Sequence, residues 1–201
     1  MTDTPRRRGR PAGTRVGPGT RELIQLTARR EFAERGYEKT SVRGIAKAAG
    51  VDPALVHHYF GTKEQVFAAA VDIAFAPALG APQKMAEGPP EAAGERLTRF
   101  FFATWEDPAT RAPLLAIMRS AMDNEAAAAV FRRLVSAQLL DRIAGFIELP
   151  DATIRAELAA AQLVGAAMLR YVLKVDPLAS ADVEELVRRL APVVQQHLTG
   201  A

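Results

Sequence analysis

The sequence predicts an all-α chain in two parts: an N-terminal three-helix unit of helix-turn-helix type, then a larger C-terminal helical domain. Three observations carry this. Residues 40–63, TSVRGIAKAAGVDPALVHHYFGTK, hold two short helical patterns separated by a glycine. Beyond residue 94 the apolar residues recur with a helical period and almost no strand-like alternation. Pro108, Pro150 and Pro177 fall where helices are expected to break.

Taken in order, residues 1–19 are rich in Gly, Pro and Arg and read as a flexible basic arm. A helix is expected from Thr20 to Arg35, because Ile24, Ala28 and Phe32 repeat every four residues, and Gly36 ends it. From Val42 to Ala49, helical spacing puts Ile45, Ala46 and Ala49 on one face. Gly50 can stop this helix in a left-handed conformation. Asp52 is placed to cap the next helix, with Pro53 suited to its first turn. Gly61 closes that helix, and Thr62 with Gln65 has capping-box spacing for another, Thr62–Ala76.

Residues 77–94, with four prolines and three glycines, read as a linker or irregular segment. Further helices are expected at Glu95–Trp105, Ala112–Met122, Glu125–Glu148, Asp151–Val175 and Ala181–Leu198. Leu158–Leu169 runs uncharged for twelve residues, so this helix should be buried on more than one side, in part by a partner subunit. The expected domains are the arm 1–19, a helix-turn-helix unit 20–65 with linking helix 62–76, and a C-terminal domain 77–201.

Composition narrows the function. The 201 residues are 49% hydrophobic, enough for a substantial core, and no uncharged apolar run approaches the ~20 residues of a membrane span. The absence of cysteine excludes disulfides and thiolate metal sites and fits a reducing cytoplasm. Net charge is lopsided: residues 1–65 carry +6 and the remainder −3. The basic end is expected to meet phosphate. The three histidines offer no metal-ligand spacing, because His57 and His58 point about 100° apart and His197 is remote. No phosphate-binding glycine loop or nucleophile motif is present, so no cofactor, metal or enzymatic role is implied.

The motifs Phe32-x-x-x-Gly36-Tyr37, Thr40-Ser41-Val42-Arg43-x-Ile45-Ala46, Ala49-Gly50-Val51, His58-Tyr59-Phe60 and Lys63-Glu64 together resemble the tetracycline-repressor (TetR) family of bacterial transcriptional regulators. The resemblance covers about residues 20–75. It implies a cytoplasmic homodimer whose C-terminal half holds an effector pocket and a dimer interface. It also implies an intermolecular four-helix bundle, mapped here to residues 151–175 and 181–198. Leu55 and His57 stand where the family commonly has Thr and Tyr, so no operator sequence is carried over.

By position in the motif, Pro53, Ala54, Leu55 and His57 lie near the start of the recognition helix, where side chains reach base edges. Arg43 is a candidate for a bidentate guanine contact, a phosphate contact or a solvated charge. Ser41, His58, Tyr59 and Lys63 read as phosphate contacts, with Tyr59 equally able to join the core. Arg8 and Arg10, within Arg-Gly-Arg-Pro, suit either a minor-groove arm or a non-specific cationic tail. Phe101, Phe102, Trp105, Met118, Met122, Phe146 and Met168 are candidates for an apolar ligand pocket, or simply for the core. Arg119, Asp123, Gln138, Gln162 and Arg170 are possible polar partners within it. The resulting expectation is a sequence-specific DNA-binding regulator, a repressor released from a palindromic operator by a small molecule. The alternative is an architectural or ligand-independent DNA-binding protein of low sequence specificity.

Overall fold

The computed structural model describes residues 19–200, so the basic arm with Arg8 and Arg10 lies outside the described residues. Among these there are eleven α-helices and no strands. The head comprises α1 (Thr20–Lys39), α2 (Val42–Ala49) and α3 (Pro53–Phe60), with α4 (Lys63–Phe75) leading out of it.

Local chemistry places these helices. The Ser41 hydroxyl oxygen accepts from the Gly44 N–H at 3.0 Å, and Asp52 accepts from Ala54 at 2.7 Å. Thr62 and Gln65 form the reciprocal capping box. Each such cap is typically worth ~1 kcal/mol. Gly50 ends α2 at φ 67°, a left-handed value that a side chain would strain. α1 breaks at Gly36 as expected, but a final helical turn continues to Lys39. The Thr40 hydroxyl secures that turn by donating to the Gly36 carbonyl oxygen at 2.8 Å.

Residues 77–94 depart from the linker expectation. They form a 3₁₀ turn (Ala78–Gly80), the short helix α5 (Ala81–Ala86) and another 3₁₀ turn (Pro90–Ala92). Pro82 sits in the first turn of α5, where its missing N–H costs no bond, and Ala81 and Met85 are buried there. The Arg96 guanidinium holds the segment by donating to the Met85 carbonyl oxygen at 2.7 Å.

The body continues as α6 (Ala93–Glu106), α7 (Pro108–Asp123) and α8 (Glu125–Val135). A π-helical segment, Ser136–Leu140, joins α8 to α9 (Asp141–Ala144), so the expected single helix to Glu148 is shorter and locally widened. Next come α10 (Ala152–Ala167), with a π-helical end at Met168–Val172, and α11 (Val183–Thr199). α6 packs closely on α11: a Cβ on Gly94 would stand 2.6 Å from the Gln195 backbone nitrogen. Residues 152–172 have the length and apolar composition of a membrane span, but Arg155, Glu157 and Arg170 interrupt them and α11 packs against one side.

The head is not an independent ball. α1 packs on α7 and α4 on α8, and one core runs from Ile24, Phe32, Ile45, Val56 and Phe67 to Ile117, Ala127 and Val130. Motion of the head relative to the body must therefore deform this shared core.

Candidate nucleic-acid interface and ligand cavity

α3 buries Val56 and Phe60 and turns the rest of its surface outward. Ala54, Leu55, His57, His58 and Tyr59 are exposed, and Pro53 is half-buried. Tyr59 thus stands on the surface rather than in the core, with its ring edge-to-face against His58 at 5.2 Å. His57 Nδ1 lies 2.8 Å from the Gly61 carbonyl oxygen. A carbonyl only accepts, so Nδ1 donates this bond and Nε2 faces outward.

Arg43 and Ser41 are exposed on and before α2. Because Ser41 caps α2 through its oxygen, its hydroxyl proton remains available to a phosphate. Lys63 is engaged within the protein. Its ammonium sits 4.3 Å above the Tyr37 ring and donates to the Glu38 carbonyl oxygen at 3.4 Å. A phosphate would have to draw it from both partners.

Two further cations flank this surface: Lys47 is exposed on α2, and Arg21 lies over the Phe60 ring at 5.1 Å. Helical phase could have indicated Lys47, which lies four residues beyond Arg43. Only the packing of α1 beside α3 reveals Arg21.

Tyr37 anchors α4 beneath the head. Its hydroxyl donates to Glu64 at 3.1 Å, and its ring meets Phe67 edge-on at 5.0 Å. Burial first, then the bond to Glu64, pushes its pKa up to about 12.

The body contains an apolar cavity of about 210 Å³, lined from every α-helix from α4 through α10 and from the π-helical segment 136–140. Of the sequence candidates, Phe101, Trp105 and Met118 lie on its wall. Phe102 does not: it packs against Leu186, Val187 and Ala191, because neighbouring helical residues point about 100° apart. Met168, at the end of α10, is half-buried and off the wall. Met122 and Phe146 are 67% and 50% exposed: α7 presents another side to the interior, and Phe146 stands in the turn after α9.

The proposed polar partners also lie elsewhere. Arg119 and Asp123 line a separate polar niche between α1 and α7. Gln138 donates to Asp72 at 3.1 Å, Gln162 is exposed on α10, and Arg170 donates to Glu106. Sequence reasoning missed Phe75, Phe131, Leu139 and Leu163 on the wall, which no local signal separates from ordinary core residues.

Beside the cavity, Trp105 stacks on Phe101 at 5.5 Å and on Tyr171 at 5.9 Å. Glu106 accepts from the Tyr171 hydroxyl at 2.7 Å and from Arg170 at 3.0 Å. Burial pushes the Glu106 carboxyl up, but Tyr171 and Arg170 outweigh it and hold the pKa below the ordinary value. Burial and the bond to Glu106 raise Tyr171 to about 12.

Residues 24–70 match the model of the bacterial regulatory proteins of the tetR family, and residues 91–198 match the tetracyclin repressor-like C-terminal domain. The chain belongs to the TetR family. It is a DNA-binding transcriptional regulator.

This TetR-family chain is 30% identical over 187 residues to the transcriptional regulator BetI of Rhizobium meliloti, covering 90% of each. A TetR-family regulator of Streptomyces coelicolor is similar in structure, with 39% identity, a TM-score of 0.72, and 93% and 99% of the two chains covered. A stretch of 50 residues is 44% identical to the transcriptional repressor AcnR of Corynebacterium efficiens, covering 25% and 27% of the chains.

Proposed function

We propose that the protein is a homodimeric repressor that leaves a palindromic operator when a small molecule enters the cavity. The observation that carries this is the placement of α4. It begins at the capping box beside the recognition helix, and it ends at Phe75 on the cavity wall. Whatever occupies the cavity therefore presses on a helix rooted in the head. A ligand that favours the displaced position of α4 lowers operator affinity, and operator lowers ligand affinity by the same factor.

The exposed apolar stripe on α10, comprising Ile154, Leu158, Leu169 and Val172, together with Val193 on α11, supports a dimer formed across these two helices. A two-fold dimer presents two α3 helices to half-sites one DNA turn apart, ~34–36 Å. Arg43, Pro53, Ala54, Leu55 and His57 face bases in this reading, while Ser41, His58, Tyr59 and Lys63 face phosphates. Arg8 and Arg10 would extend the contact along the minor groove. The likeness of a 50-residue stretch to the repressor AcnR supports negative control. The site of action is the cytoplasm, where the operator is.

Selection of bound DNA from a random pool, followed by titration across a salt series, tests this. A palindrome bound far more tightly than a scrambled control supports the proposal. Recovery of only A·T-rich DNA with a steep salt slope would favour an architectural role.

A further inference from the structure

The wall of the cavity specifies the chemistry of its ligand. Among the described residues no Asp, Glu, Lys, Arg or His lines it, and only Thr104 and Trp105 of the lining side chains carry a polar hydrogen. The Thr104 hydroxyl proton is already committed to the Phe100 carbonyl oxygen at 3.0 Å. The nearby ions are engaged elsewhere: Arg170 with Glu106, Arg111 with the Trp105 carbonyl oxygen, and Asp72 with the Gln138 amide. An ionised ligand would lose its hydration here with nothing to replace it.

The aromatic wall does not reverse this. A cation would favour the tryptophan face, yet Trp105 is stacked with both Phe101 and Tyr171. Size adds a second limit. An apolar cavity of ~150 Å³ takes up benzene. The present one, about 210 Å³, holds a larger molecule of the same kind.

We infer that the cavity takes an uncharged, predominantly apolar ligand the size of an alkyl-substituted benzene or a small bicyclic. This rests on the reading of the cavity as the effector site, whose failure is separable as follows. Trp105 is the single tryptophan of the chain, so its fluorescence reports on the wall directly. The full-length protein is titrated with three phenyl probes of closely similar size: propylbenzene, phenylacetate and phenyltrimethylammonium. Propylbenzene is expected to change Trp105 emission saturably and raise Tm. Each ion is expected to bind ~100-fold more weakly or worse, for lack of a countercharge.

Ala160→Phe, which fills part of the void, should remove the propylbenzene response, and the smaller Ala160→Leu should weaken it. Equal affinity for either ion, or no saturable response to propylbenzene, overturns the inference. Saturable propylbenzene binding that leaves operator affinity unchanged supports the ligand class but overturns the effector role.

Discussion

Phe75 and Phe131 meet edge to face, their ring centroids 5.4 Å apart and their planes at 73°, where the helix leaving the head crosses the cavity wall. Phe131 sits on α8, which with α7 completes the core shared by head and body. A ligand that displaces Phe75 must either move α4 or break this contact. Phe75→Leu keeps an apolar side chain but removes the ring, at a stability cost of about 1 kcal/mol. Operator affinity without ligand should persist, while the ~1–3 kcal/mol coupling between ligand and DNA should shrink. Operator titrations with and without ligand measure this, and unchanged release would exclude Phe75 as the link.

Arg43 is exposed on α2. Arg43→Ala should cost about 1–3 kcal/mol at the operator and relax preference at one base position. If operator and random DNA lose affinity equally, Arg43 touches only phosphate. Lys47→Ala should instead weaken all sequences alike and lower the salt slope by about 0.9.

Leu158 and Leu169 are each 42% exposed on the apolar stripe of α10. Leu158→Glu places a charge on that stripe. Sedimentation should then report monomers with unchanged helical circular dichroism, together with weaker operator binding. A variant that stayed dimeric would move the interface elsewhere.

Alkaline pH offers a test of packing. Tyr37 and Tyr171 are both raised from 10.0 to about 12, burial being the larger cause and a carboxylate partner the next. The folded state therefore holds these protons more tightly than the unfolded chain. The associated stability is fully present below pH 10 and is lost as pH rises through about 12. In a spectrophotometric titration both should ionise late, and Tyr37→Phe should remove one late step. Ionisation of Tyr37 near pH 10 would contradict its burial and its bond to Glu64.

Much of the head was legible in the chain itself. Asp52 caps through an N–H two residues away, Thr62 through one three residues away, and Gly50 adopts a backbone that its neighbours cannot share without strain. Such features depend on contacts within one helical turn, so the motif determines them wherever it folds. The outward face of α3 follows in the same way, from the burial of Val56 and Phe60 one turn apart.

The body is different. Phe101 and Phe102 are identical in type and adjacent, yet only Phe101 reaches the cavity, because the rotation of α6 against α11 and α7 decides which face each ring takes. Met122 and Phe146 carry the same apolar signal and finish exposed, while Phe75 and Phe131, 56 positions apart, finish in contact. Hydrophobicity is non-directional: it states that a side chain gains by leaving water, not which neighbour it joins. The sequence by itself determined the head helices, their caps and the helix-turn-helix motif, whereas the helix α5 within residues 77–94 and the break after Val135 lay beyond it. The packing of helices distant in sequence decided where a cavity remains, what lines it, and that α4 connects it to the head.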